Sequence, residues 1–158
     1  MLLLTQSGHP LTYGLTALPW QWYDLDEHWD NSSRASTMGT LSGFGSLSAI
    51  PEEKITDKIT RRVLTGQKGM MVWWKVGAGT HVAAHSHPHE QLVWLLKGKM
   101  EFRIDKEQRM LEGGGIVVIP GGAEHEGWCH EDCEVVDVFA PPREDFLAGG
   151  GPTWLHEK

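Results

Sequence analysis

Gly79–Gly98, GTHVAAHSHPHEQLVWLLKG, is the stretch from which the rest of the chain can be read. His85, His87 and His89 alternate in it, and Gln91 continues the alternation at the head of an apolar run. On an extended strand alternate residues share a face, so this spacing can bring several imidazoles to one point. Imidazole suits zinc, copper, iron and nickel, whereas an amide or carboxylate oxygen suits harder cations such as manganese. A solvated histidine-rich loop is the competing reading. The apolar strand that follows makes a metal site the leading expectation.

Working outward, the 158 residues are 40% hydrophobic and 22% charged, enough for one domain with a buried core. The net charge of -7, with no block of like charges, argues against a nucleic-acid partner or an anionic membrane, both of which need a basic face. The first ten residues, MLLLTQSGHP, carry no basic n-region and too short an apolar run for a signal or a span. A cytoplasmic protein is expected. Cys129 and Cys133 then read as two reduced thiols, since Cys-x3-Cys alone is a poor zinc signal.

Residues 1–49 differ in character from the rest. They hold Trp20, Trp22 and Trp29, then a Ser/Gly/Thr-rich run from Asn31 to Ala49 with no apolar period. An irregular extension is expected, packed on the main body or on a second subunit. Ile55, Ile59 and Val63 at spacings of four suit a helical turn or two, but their β-branching leaves a strand over Ile59–Leu64 equally open. Beyond them the pattern is short strands punctuated by Gly and Pro. Met70–Val76 should point Val72, Trp74 and Val76 inward. The run through Gln91 should turn in a hairpin near Lys97-Gly98 and return with Met100, Phe102 and Ile104 on one face. GIVVIPGG reads as a buried strand ended by Pro120, and CEVVDVFAPP as another. Strands at roughly ten-residue intervals without long helices predict an all-β sandwich or barrel.

Two motifs now fall into place. Gly79, His85, His87, Gln91 and Gly98 match G-x5-H-x-H-x3-E-x6-G except for Gln in place of Glu. Gly114, Pro120, Gly122 and His125 match G-x5-P-x-G-x2-H-x3-N, with Cys129 at the last position. The chain thus resembles a single-domain cupin, a small jelly-roll barrel. The resemblance implies a cupin domain at 50–148, an extension at 1–49 and a tail at 149–158. It also implies one divalent transition metal (Fe, Ni, Mn, Zn or Cu) held by His85, His87, Gln91 and His125. His89 and Glu90 stand in reserve, His89 as an outer donor or substrate contact. A neutral ligand set around a dication should favour an anionic substrate.

Over 50–147 the resemblance is to the pectin-degradation cupins of the KdgF type, in the run HSHPHEQ, the PGG-x-x-H turn and the tail DVFAPPREDF. That type converts cyclic 4,5-unsaturated uronates to linear keto sugars. It implies Asp137, Phe139 and Arg143 beside the metal, with Asp137 as acid/base and Arg143 forking a substrate carboxylate. Trp74 faces inward and is a further substrate contact. Rival readings share the fold: a metal dioxygenase, lyase or polyketide cyclase on an aromatic or diketone substrate, or a non-catalytic ligand-binding protein. The apolar outer face implied by Leu92, Trp94 and Leu96 needs covering, so a homodimer is expected.

Overall fold

The computed structural model describes residues 43–149 together with 152 and 154. Trp20, Trp22 and Trp29, and with them most of the expected extension, lie outside the described residues. Ten strands follow in chain order: β1 (Glu53–Thr56), β2 (Ile59–Thr65), β3 (Met70–Val76), β4 (His81–His85) and β5 (Glu90–Lys97). Then come β6 (Lys99–Ile104), β7 (Glu107–Glu112), β8 (Ile116–Ile119), β9 (His125–Cys129), β10 (Cys133–Ala140) and one helical turn, α1 (Glu144–Leu147).

The strands form two antiparallel sheets, ordered β1-β2-β3-β10-β5-β8 and β4-β9-β6-β7. This is the expected all-β jelly-roll barrel. Alternation does the sorting: β3 buries Met70, Val72, Trp74 and Val76 and turns Met71 and Lys75 outward. Val72, Leu95, Ile119 and Phe139 are almost wholly removed from solvent, each contributing about 1.5–3 kcal/mol by burial. β-branching decides the open question near residue 55, because Ile55, Ile59 and Val63 lie on strands and not on a helix.

Two expectations are corrected. The chain does not make a hairpin at Lys97-Gly98. There it leaves the six-stranded sheet for the four-stranded one, and β6 pairs instead with β7 and β9. Gly98 permits the corner: its φ is +94°, and a Cβ there would lie 2.4 Å from the Asp132 carbonyl oxygen. Nor is Ile116–Ile119 a buried strand. As the edge of its sheet it hides Ile119 but leaves Ile116 and Val118 mostly exposed. A continuous apolar run marks a strand covered on both faces only if something covers the second one.

That second face is apolar well beyond β8. In register across five strands run Leu64, Met71, Val138, Leu92 and Val118, and beside them Arg62, Trp73, Val136, Trp94 and Ile116. The next row, Thr60, Lys75, Glu134 and Lys97, is polar and bounds the face. Among the described residues no helix is long and apolar enough to cross a membrane.

Candidate metal centre

The histidines of the opening stretch do not share one strand. His85 closes β4, His87 and His89 sit in the crossing between the sheets, and Gln91 lies on β5. Convergence comes from the crossing and from the second motif, because His85 and His125 are cross-strand partners of β4 and β9. Pro120–Ala123 makes the turn that delivers His125, with Ala123 N–H donating to the Pro120 carbonyl at 3.1 Å. Gly122 N–H donates to the His87 carbonyl at 2.8 Å, which pins this turn to the first motif. Gly121 allows the approach, since a Cβ there would lie 2.3 Å from the Pro88 carbonyl oxygen.

His85, His87 and His125 are all buried, and their donor nitrogens lie within 4.8 Å of one another. Each ring is oriented through Nδ1. That of His85 meets the Ala83 carbonyl at 2.8 Å, that of His87 the His89 carbonyl at 3.0 Å, and that of His125 the Ala123 carbonyl at 3.0 Å. A carbonyl only accepts, so each Nδ1 carries the proton and each Nε2 presents a lone pair to the cluster. Burial holds the imidazoles neutral: it lowers the pKa of His85 and takes those of His87 and His125 down to about 4. The Nε2 of His125 is buried without a partner. Gln91 Oε1 stands 2.9 Å from His87 Nε2, one lone-pair acceptor facing another. Two octahedral ligands about 2.1 Å from a cation would be about 3 Å apart, so the donor set fits a bound cation. Glu90 is exposed on the outer side of β5, and the His89 ring stays outside the three-histidine cluster.

Asp137 and Phe139 share the inner face of β10, as their spacing requires. Trp74 Nε1–H donates to Asp137 Oδ2 at 2.8 Å, while Oδ1 is buried with no partner. Burial raises the carboxyl to about 6, against the opposing pull of Gln91, Trp74 and the Arg143 charge. Arg143 is buried too, although it makes the pairing a surface arginine would make. Its Nε and Nη2 donate to Asp145 at 3.1 and 2.6 Å. That edge of the guanidinium is occupied, which leaves the end-on N–H pair for a ligand. The guanidinium lies against Phe139 and Phe146, 5.3 and 4.2 Å from their ring centres.

One cavity is lined by His85, His125, Gln91, Asp137, Phe139, Arg143 and Trp74, bringing together seven of the residues singled out in the sequence. It is also lined by Phe102, Phe146 and Trp154, which sequence reading missed. Phe102 was legible only as core. Trp154 lies in the expected tail, where no periodicity assigns a partner. Trp128 does not line the cavity and stacks on His81, with ring centres 5.2 Å apart.

A two-sheet jelly roll with three convergent histidines inside is the architecture of a cupin. The cupin-domain family profile matches residues 72–139. The pectin degradation protein KdgF of Dickeya dadantii (strain 3937) is 31% identical over 100 residues, 61% of this chain and 91% of that protein. The structure of KdgF from Halomonas sp. superposes with a TM-score of 0.63 at 26% identity, covering 68% of this chain and 100% of that one. An RmlC-like cupin from Shewanella frigidimarina NCIMB 400 gives 0.64 at 24% identity, over 69% of this chain and 99% of that one, and shares the fold. The chain belongs to the cupin family, as a KdgF-like member.

Proposed function

We propose that this protein is a metal-dependent enzyme of small anionic sugars that promotes ring opening of a 4,5-unsaturated uronate to its linear keto form. The observation that carries this reading is Asp137, a buried carboxyl with one unpartnered oxygen, lining the same cavity as His85, His125, Gln91 and Arg143. The relative named for pectin degradation supports the substrate class.

His85, His87, Gln91 and His125 would hold a divalent transition metal, which of Fe, Ni, Mn, Zn or Cu being a matter for elemental analysis. Such a cation supplies Lewis acidity at a hydroxyl or carbonyl oxygen. The chain's own residues do the remainder. Arg143 anchors the substrate carboxylate through its free end-on N–H groups, and Phe139 backs that guanidinium. Trp74 holds Asp137 by Oδ2, so Oδ1 takes up and returns the proton. A carboxyl near 6 is mostly ionised at neutral pH yet readily protonated, as both halves of that transfer require.

The test is loss of the unsaturated uronate's absorbance with metal-loaded protein. Asp137→Asn should slow it at least a hundredfold with metal content unchanged; no acceleration by the wild type, or an unchanged rate in the variant, would overturn the reading. The aromatic lining is the observation that favours a second reading, oxygen-dependent chemistry on an aromatic or diketone substrate. Oxygen consumption separates the two. The first is preferred because most of those rings are already engaged by guanidinium and imidazole groups.

We also propose that 50–148 is the cupin domain that supplies the metal ligands, Asp137 and Arg143, and that two copies pair through the apolar outer face of the six-stranded sheet. The two rows, apolar at every position but Arg62, cover roughly 300 Å² in projection, a size at which contiguous apolar surface marks an interaction site.

A further inference from the structure

Five aromatic side chains line the cavity: Trp74, Phe102, Phe139, Phe146 and Trp154. Four of them have little surface to offer a ligand. Trp74 and Phe146 lie under the Arg61 guanidinium, 5.8 and 4.6 Å from their ring centres, and Phe146 is also 4.2 Å from that of Arg143. Phe139 meets His87 edge-on at 5.6 Å, and Phe102 stacks near His125 at 6.4 Å. All four are buried.

Trp154 differs. It is only half buried, its indole centre is 6.5 Å from that of His85, and it packs on the edge of the core from outside the barrel strands. Pro152, two residues earlier, is fully buried. The cavity therefore has an anion anchor in Arg143, a proton-transfer group in Asp137, and a single aromatic wall with open surface beside the histidines. The apolar C–H face of a pyranose ring is the part of a uronate that none of the polar groups can recognise. An indole face provides the large, flat apolar surface that such a ring face requires.

We propose that Trp154 is a specificity-determining residue: its indole packs on the ring face of a cyclic uronate whose carboxylate Arg143 holds, so that this side chain selects a ring over an open chain. This rests on the uronate reading above. It also places Trp154, from the expected tail, in the binding site.

The experiment compares Trp154→Ala, Trp154→Phe and wild type, each with its metal content verified, in calorimetric titrations with galacturonate, a cyclic uronate, and gluconate, its open-chain counterpart in charge. Trp154→Ala should raise the Kd for galacturonate about tenfold and shift that for gluconate less than twofold. Trp154→Phe should recover most of the loss and, by keeping an aromatic ring at the cavity edge, guards against misreading a folding defect. Equal effects on both ligands, or an unchanged galacturonate Kd, would overturn the inference while leaving the uronate reading in place. If the wild type binds neither compound, the uronate reading and the inference fall together.

Discussion

At the scale of single residues, the centre is a set of groups whose protonation has been fixed by burial and by backbone carbonyls. The consequence for the metal-free protein can be worked out by sign. His87 and His125 titrate near 4 when folded and near 6.5 when unfolded, and His85 is shifted in the same direction. The unfolded chain therefore binds more protons in that window, so their contribution to stability is present above pH 6.5 and is lost as pH falls towards 4. Asp137 has the opposite sign: raised to about 6 from 3.8, it favours the folded state at low pH and loses that contribution as pH rises through 6. Three groups outweigh one. Urea unfolding of chelator-treated protein should show stability decreasing by a few kcal/mol between pH 7 and pH 4.5. A flat profile, or one that rises on acidification, would contradict the burial assigned to these rings.

At the scale of elements, two turns carry more of the site than any strand. The Pro120–Ala123 turn touches the first motif through Gly121 and Gly122, so its geometry sets where His125 stands relative to His87. Adding one methyl at Gly121 would collide with backbone, which has no rotamer to yield. Gly121→Ala should fold, with stability lowered by about 1–3 kcal/mol, and should retain metal at least tenfold less tightly in a competition with a chromophoric chelator. Full metal affinity in this variant would show that the turn does not position His125. Both histidine motifs were readable from residue order alone, but the crossing between sheets was not. The alternation of His85, His87 and Gln91 has the period of a strand, and nothing local distinguishes a strand from a strand end followed by a loop and another strand. The same limit explains Gly98, whose position after a strand reads equally as a hairpin or as a corner. Only the crowding at Asp132, some 34 residues on, decides it.

At the scale of the whole molecule, the outer face of the six-stranded sheet stands out, with Trp94, Ile116 and Val118 exposed on it among the described residues. Its two apolar rows alternate with the inward residues on the same strands, so the sequence pattern specifies them as firmly as it specifies the core. The parity of Trp94 against Gln91 was legible for that reason. Trp154 was not, because a tail residue acquires its place only from the finished barrel. Sedimentation at micromolar concentration should give a dimer for the wild type and a monomer for Trp94→Glu combined with Val138→Lys. Those residues lie in neighbouring rows of the face and away from the cavity. A wild-type monomer, or a variant that stays dimeric, would place the interface elsewhere.

The placement of the proposed ligand set across the two sheets has a consequence for how the protein would respond to metal supply. His85 and His125 belong to one sheet, Gln91 to the other, and His87 to the chain that crosses between them. A cation gripped by all four would be a clasp across the barrel. Whatever parts the sheets must open the clasp, and whatever fills the clasp raises the work of parting the sheets. With the proposed metal bound, occupancy and mechanical integrity would be one equilibrium, and a cell that withheld the metal would withhold part of the fold with it.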